Sequence, residues 1–409
     1  MNKLLVLLSW TVMLSCSHQG HKAEGDAPYY IKLTIPYISA LKPLLLSDVA
    51  DSIEYVQLEA TDDCLLPRQG GTRKHLAGDY LFIGGDLIYK FDATTGKYLC
   101  TIGSRGQGPE EYASIQRLSI LEDRQIIVIR DAGREYLTVF GFDGRYQGRI
   151  PLAFKGDSLL TKCSGLLRLI DFDDQYAAYY SFITPASNAC QPNELILYDN
   201  KNEKIIAAVP NTLGGTYVDF AIKFPVLMSG SLQDNALYYK SFYNDTLYVI
   251  GKDTGINPFA VINLGDKKVP DEVLLSKNWH ALMKGKLMIS NIHVNRDCIV
   301  FECFTGWAPD TEYFLCKYDK ATGDVTYHSN YVINDLDGGG NLAGIYDLAN
   351  GIVPVYMHSD IKEIIKERYF SSADKSQLKY PDMKEAFEQM QQTRDEDDNP
   401  LLMILKLKK

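Results

Sequence analysis

The chain has 409 residues, with 42 Lys and Arg against 52 Asp and Glu and a net charge of −10. That balance excludes the basic surface with which proteins track a nucleic-acid backbone, so no nucleic-acid partner is expected. A hydrophobic fraction of 46% fits a globular body and neither a disordered chain nor a membrane bundle.

The chain opens with one positive charge, Lys3, and an apolar run over residues 4–14 broken mainly by Ser9 and Thr11. This run is shorter than the ~20 residues a spanning helix needs. Residues 1–15 therefore read as a signal peptide, with small Ser15 just before Cys16. Residues 16–28 continue as a polar, glycine-containing tether (SHQGHKAEGDAP after the cysteine). The folded body is expected over residues 29–409.

Inside that body residues 91–112, FDATTGKYLCTIGSRGQGPEEY, set the pattern. Residues 86–91 and 97–102 are two strand-like runs, and the link between them holds Asp92, which can bond its own backbone, and Gly96, which can take positive φ. Three glycines and a proline in residues 103–109 then break the strand period and require a bent loop.

The hairpin recurs. First turns fall at Gly78-Asp79, Glu122-Asp123, Asp173-Asp174, Asp234-Asn235, Arg296-Asp297 and Asn350-Gly351, about 54 residues apart on average. Third-strand runs follow as LIYKFD, LTVFGF, LILYD, TLYVIG and YFLCKYD. Repeats of this length with about four short strands each are the pattern of propeller blades, whose radial stacking protects most sheet edges. Length alone would allow two or three domains, but repetition argues for one closed array.

The last unit changes character. Residues 344–349 and 351–358 read as strands, and residues 360–370 then place Ile361, Ile364, Ile365 and Tyr369 on one helical face. Residues 381–394 do the same with Met383, Phe387 and Met390, with Pro381 suited to a first turn. After an acidic stretch over 395–399, residues 401–407 form a last strand. The missing fourth strand is supplied by residues 52–59, SIEYVQLE, from the other end of the chain. The expected fold is all-β: a six-bladed β-propeller of four-stranded blades, closed by N- and C-terminal strand pairing, with residues 360–399 as a helical insertion.

Leu14-Ser15-Cys16 resembles the lipobox of bacterial lipoproteins, although Met13 holds the place usually taken by leucine. Together with the DVADSIEYVQLE entry segment, the 91–112 hairpin and loop, and the closing EDDNP stretch, it is similar to the six-bladed β-propeller lipoproteins of Bacteroidetes, relatives of NHL- and TolB-type propellers. In that family the loop reads close to GxxGxGPGEY; here Glu110 stands where the last of those glycines is usual. The resemblance implies lipidation at Cys16, a lipid anchor to the membrane and a cell-envelope address, in the manner of an outer-membrane lipoprotein. It supplies no catalytic residues. The acidic residues that follow the lipidated cysteine in surface-exported relatives are absent from Ser17-His18-Gln19-Gly20, so periplasmic and surface orientations both stay open.

In such a propeller the blade-to-blade connections share one face with the loops between second and third strands. Arg105, Gln107, Glu110, Glu111 and Tyr112 are the ligand-binding candidates on that face, with Arg105 suited to a carboxylate or phosphate and Tyr112 to a sugar or peptide. The competing reading is that the glycines set a blade-to-blade turn and the charges pair structurally. Trp307 on residues 305–312 is a further candidate for carbohydrate stacking, or a packed cap. Residues 334–340, NDLDGGG, lack the distal Glu of a calcium loop and read as a turn. Residues 264–288 form a long connection with a short helix at 271–277, plus Trp279 and His280, and read as a lid or a packed insertion.

No GxSxG, HExxH or GxxxxGK[ST] motif is present. His75, His280, His293, His328 and His358 fall in separate repeats or connections, with His293 the best placed for a channel-lining metal site of the NHL-lyase type. A satisfied structural histidine is the commoner case. Seven cysteines besides Cys16, with no CxxC, read as small buried hydrophobes; a disulfide fits an oxidising compartment, but the spacing selects no pair. Neither cofactor nor metal is expected. Two functions stand side by side: a non-catalytic envelope module binding a glycan, peptide or partner protein through one propeller face, and a channel-centred hydrolase or lyase.

Overall fold

Runs rich in Ile, Val, Leu, Tyr and Phe, punctuated by Asp-containing turns, fold into successive antiparallel meanders in a computed structural model. It describes residues 27–66, 73–131, 134, 136–151, 166–172, 175–181, 193–210, 229–233, 236–241, 244–270, 273, 279–306, 311–342, 344–345, 348, 351–355, 378–394 and 397–408.

The first sheet holds Arg73–Ala77, Tyr80–Gly84, Ile88–Asp92 and Tyr98–Ile102 in sequence order. Its successor repeats the order with Arg117–Leu121, Ile126–Arg130, Tyr136–Gly141 and Tyr146–Pro151. The third holds Leu166–Asp171, Tyr176–Ser181, Asn193–Asp199 and Lys204–Pro210. Next come Ser229–Gln233, Ala236–Lys240, Thr246–Gly251 and Gly255–Asn263 in the fourth. The fifth is built from Leu287–Val294, Cys298–Thr305, Glu312–Asp319 and Val325–Ser329. A closing sheet of three strands orders Ile352–Val355, Leu401–Leu407 and Ala50–Gln57.

First strands of neighbouring sheets approach one another, 73–77 against 117–121 and 352–355, and 229–233 against 287–294. Apolar clusters fill the gaps between neighbouring sheets. Phe82, Ile102, Leu118 and Phe140 join the first and second, Leu197, Leu237 and Ile250 the third and fourth, and Ile404, Leu402 and Phe91 the closing sheet and the first. This is a β propeller.

Turn chemistry explains why the hairpins repeat. The Asp92 carboxylate accepts from the Thr94 and Thr95 backbone N–H groups at 3.0 and 2.7 Å. Asp199 does the same for Lys201 and Asn202, and Asp319 for Ala321 and Thr322. Gly96 adopts φ +70°, and a Cβ there would lie 1.9 Å from the Gln57 carbonyl oxygen. The first hairpin therefore needs glycine because the closing strand presses against it, and Glu59 N–H donates to the Gly96 carbonyl at 2.9 Å.

The two ends of the chain meet as expected. Leu401–Leu407 runs antiparallel to Ala50–Gln57, with Leu401 opposite Gln57 and Ile404 opposite Glu54. Buried Asn399 fastens the junction: its side chain accepts from Leu66 N–H at 2.8 Å and donates to the Cys64 carbonyl at 2.9 Å and to the Glu59 carbonyl. Gln57 Nε2 returns a bond to the Asn399 carbonyl at 2.9 Å.

Three features differ from expectation. Gly344, Ile345 and Leu348, expected within a strand, lie in bends and a turn, so the closing sheet has three strands among the described residues. The Glu302 carboxylate accepts from Asn291 Nδ2 at 2.8 Å and from Ile345 N–H at 3.5 Å, so that amide faces a side chain and not a neighbouring strand. The chain before the closing strand also forms a strap. Tyr29–Lys32 adds a fifth, parallel strand to the fourth sheet, Thr34 N–H donates to Tyr327 Oη at 2.9 Å on the fifth, and Leu44–Leu45 pairs with Val332–Ile333. Finally, a short helix forms at Trp279–Met283, whereas most of 271–277 lies outside the described residues.

Of the helical insertion, residues 360–370 lie outside the described residues and Pro381–Gln392 is a helix with proline in its first turn. Its Phe387 is buried, 4.7 Å from the Tyr55 ring. The 334–340 segment is a buried turn, in which Asn334 Oδ1 accepts from Leu336 and Asp337 N–H at 3.1 and 3.2 Å. Cys64, Cys298, Cys303 and Cys316 are buried and free, with Cys303 and Cys316 sulfurs 3.6 Å apart.

His293, on the first strand of the fifth sheet, is 1% exposed, and among the described residues neither ring nitrogen has a hydrogen-bond partner. Burial, then Lys320, holds its pKa down to about 4. An unfolded chain has a histidine value of ~6.5, so folding favours the neutral ring; this contribution is complete above the unfolded value and is lost as pH falls towards the folded one. Replacing His293→Leu should flatten the fall in unfolding free energy between pH 6.5 and 4 by about 3 kcal/mol, measured by urea titration across that range. An unchanged slope would show that His293 does not set acid sensitivity.

Candidate functional site

The connection from the first sheet to the second begins where Gly103 adopts φ +62°, and a Cβ there would stand 2.5 Å from Phe140. From that bend residues 103–112 fold back on themselves: Gly106 N–H donates to the Tyr112 carbonyl at 3.0 Å and Tyr112 N–H to the Ser104 carbonyl at 3.1 Å. The Glu111 carboxylate turns inward and accepts from Gly108 N–H at 2.7 Å. A Cβ on Gly106 would lie 2.0 Å from the same carboxylate, so glycine spacing and inward glutamate require each other.

Tyr112 was expected to offer a flat ring to a ligand. Instead it is fully buried, with its ring edge-on to Phe140 at 6.0 Å. Its hydroxyl donates to the Ile102 carbonyl at 3.0 Å and accepts from Ile88 N–H at 3.3 Å. Burial pushes the phenol up to about 12. Tyr112 and Glu111 thus hold the loop in shape, and the bulk of the Tyr112 ring explains why an aromatic stands there.

The second sheet clamps the loop from beneath. Arg134 pairs with buried Asp131 at 2.9 Å and donates to the Glu111 carbonyl at 2.9 Å and to Tyr136 Oη at 2.8 Å. Asp131 also accepts from Ala113 N–H, Ser114 N–H and Ser114 Oγ at 2.8, 3.0 and 2.9 Å. Arg149 donates to the Pro109 carbonyl from the outer strand.

Above that clamp Arg105, Gln107 and Glu110 are exposed. Arg105 reaches Asp86, in the turn between second and third strands of the first sheet, at 3.2 Å, with the two side chains 57% and 85% exposed. An ion pair so open to water contributes little and leaves Arg105 available. The Arg105 contact also shows that the connection and the 85–87 turn share one face. Trp307 lies outside the described residues, as does Cys16.

A second group, absent from the sequence expectations, stands on the same face where first strands begin. Arg73 opens the first strand of the first sheet opposite Gly84, beside the 85–87 turn, and Arg117 opens that of the second, directly after the 103–116 connection. Arg73 Nη2 donates to the Gln116 carbonyl at 2.8 Å, which brings it beside Arg117. Arg130 sits directly opposite Arg117 in the ladder. Burial first, and then Arg73, lowers both Arg117 and His75, the latter to about 4. The signal in the sequence is an arginine at the head of each first strand, in RKHLA and RLSIL.

Farther round the ring, buried Glu194 and Lys240 lie near Asp245 and Lys268. Burial pulls Lys240 down to about 8, against the opposing pull of Asp245 and Glu194, while Lys240 Nζ donates to the Ser241 carbonyl at 2.9 Å. Among the described residues no group of three or more His, Cys, Asp or Glu is placed to hold a metal ion, and no helix is long and apolar enough to cross a membrane.

A family described as "Domain of unknown function (DUF4934)" matches residues 32–406. The chain belongs to the DUF4934 family. Among solved structures it is similar to the "Putative exported protein (BF0058)" of Bacteroides fragilis, at 15% identity, a TM-score of 0.57, and coverage of 93% of this chain and 100% of that one. A member of the DUF4221 family from Bacteroides vulgatus matches at 11% identity and a TM-score of 0.45, covering 88% of this chain and 98% of that one. No curated protein matches. The likeness to BF0058 concerns the fold, and the DUF4934 match spans the propeller from the strap to the closing strand.

The clamp and the exposed pair predict opposite outcomes. Arg134→Ala should cost about 3–5 kcal/mol of unfolding free energy, because it strands the buried Asp131 charge. Arg105→Ala should stay within about 0.5 kcal/mol of the parent. Equal effects in urea unfolding would refute this division of the loop into frame and display.

Proposed function

We propose that this DUF4934 protein is a cell-envelope lipoprotein whose six-bladed propeller, counting the three-stranded closing sheet as the last blade, is a non-catalytic binding module. Its ligand is a glycan, a peptide or a partner protein, taken on the face that carries residues 103–112. One observation carries the reading: Arg105, Gln107 and Glu110 are held exposed on a loop whose other members are locked by Asp131, Arg134 and buried Tyr112. A preformed display of polar side chains loses little conformational entropy on binding. The export address rests on the signal-peptide pattern before Cys16, and the likeness to BF0058, a "Putative exported protein", is in keeping with it.

Binding of the purified mature chain to glycan arrays and to solubilised envelope proteins tests this reading. Joint replacement of Arg105, Gln107, Glu110 and Trp307 by alanine should weaken binding about tenfold or more. A variant that retains full binding would remove this face from consideration, and turnover of a glycan or peptide by the parent would favour a hydrolase or lyase.

A further inference from the structure

Among the described residues Cys303 and Cys316 are the cysteines that bring their sulfurs together. They lie in the middle two strands of the fifth sheet, Cys298–Thr305 and Glu312–Asp319, where Cys303 stands opposite Phe314 and Cys316 opposite Phe301. The two are therefore diagonal neighbours whose side chains leave the same face of the ladder. Their sulfurs are 3.6 Å apart and both residues are fully buried, in the apolar cluster that joins the fourth and fifth sheets. A buried cysteine standing alone packs as a small hydrophobe. Two sulfurs in contact, in a chain bound for an oxidising compartment, are also reactants. A disulfide holds its sulfurs at about 2.05 Å, so each of these has under about 1 Å to travel.

We propose that Cys303 and Cys316 become joined in a disulfide when the chain folds in an oxidising compartment, stapling the middle two strands of the fifth sheet. The inference rests on the exported address of the proposed function and adds a covalent consequence of it. The oxidant is a disulfide, of a protein or of a small molecule. One cysteine thiolate attacks it, forming a mixed disulfide and releasing one oxidant thiol; the second thiolate then attacks the cysteine sulfur of that mixed disulfide and releases the other. The two protein thiols thus lose two electrons and two protons, and the oxidant gains them as two thiols. Thiolate, not thiol, is the nucleophile, and in the folded core burial, and then Cys303, pushes the Cys316 thiol well up. Exchange therefore belongs to the stage before these strands are packed against the fourth sheet. Only thirteen positions separate the two cysteines, so the antiparallel pair can meet early, at a small cost in loop closure. Once formed, the bond is shielded from reductant by the same apolar cluster, which includes Phe301 and Phe314.

The test is peptide mass spectrometry of the mature chain, reduced in urea and refolded with a mixture of oxidised and reduced glutathione. Folded chains are collected by gel filtration, their free thiols are blocked with iodoacetamide in urea, and digestion is carried out without reductant. The peptide that holds Cys303 should appear linked to the one that holds Cys316, two hydrogens lighter than their sum, in about nine chains of ten or more. The parent alone gives this readout, and Cys303→Ser should leave Cys316 carrying the iodoacetamide label. Both cysteines labelled in most of the folded parent would overturn the proposal, as would a preference of either for another cysteine. The same digest of chain taken from the cell envelope tests the address separately. A link that forms on refolding but is absent there would contradict the exported address and leave the pairing standing.

Discussion

The pairing of Ala50–Gln57 with Leu401–Leu407 is the constraint on which the rest of the molecule depends. A row of sheets has two exposed ends, and only a bond between its first and last members converts it into a ring without free faces. Here that bond is a seven-position antiparallel ladder, and Asn399 adds hydrogen bonds across more than 300 residues of sequence. The first hairpin leans on the same junction through Gly96, where a side chain would strike the Gln57 carbonyl. The strap that precedes the closing strand ties the fourth and fifth sheets to it through Tyr29–Lys32 and Thr34.

A closed ring gives the connections between sheets a fixed frame, and the 103–112 loop uses it. Its inward side consists of Tyr112, Glu111 and the Asp131–Arg134 pair, all answering to packing and hydrogen-bond needs. On its outward side Arg105, Gln107 and Glu110 are exposed, Arg105 meeting Asp86 in an ion pair open to water. The same frame brings Arg73 of the first sheet next to Arg117 of the second, a juxtaposition no single blade could make. Function is thus sought on the face where that loop stands.

Much of the architecture was legible in the sequence because it depends on local chemistry. Asp92, Asp199 and Asp319 announce their turns by side-chain bonds to backbone two and three residues on, and the strands between them carry their own apolar runs. Chain closure was legible because one unit was short of a strand and residues 52–59 supplied an unassigned one. Gly344, Ile345 and Leu348 were misread because their apolar pattern suits a strand, while Ile345 N–H is turned to a distant carboxylate, Glu302. The strap escaped notice because its partners are set by tertiary contact. Tyr112 misled for a related reason: an aromatic after a glycine loop has the same local pattern whether it faces solvent or fills a gap beside Phe140.

Native-state hydrogen exchange of the amides that pair residues 50–57 with residues 401–407 tests ring closure most directly. If closure holds the propeller together, these amides exchange only through global unfolding, with the same opening free energy as amides in the middle strands of the first and fifth sheets. Rapid exchange of the closing ladder by local opening, while the other sheets stay protected, would contradict the account.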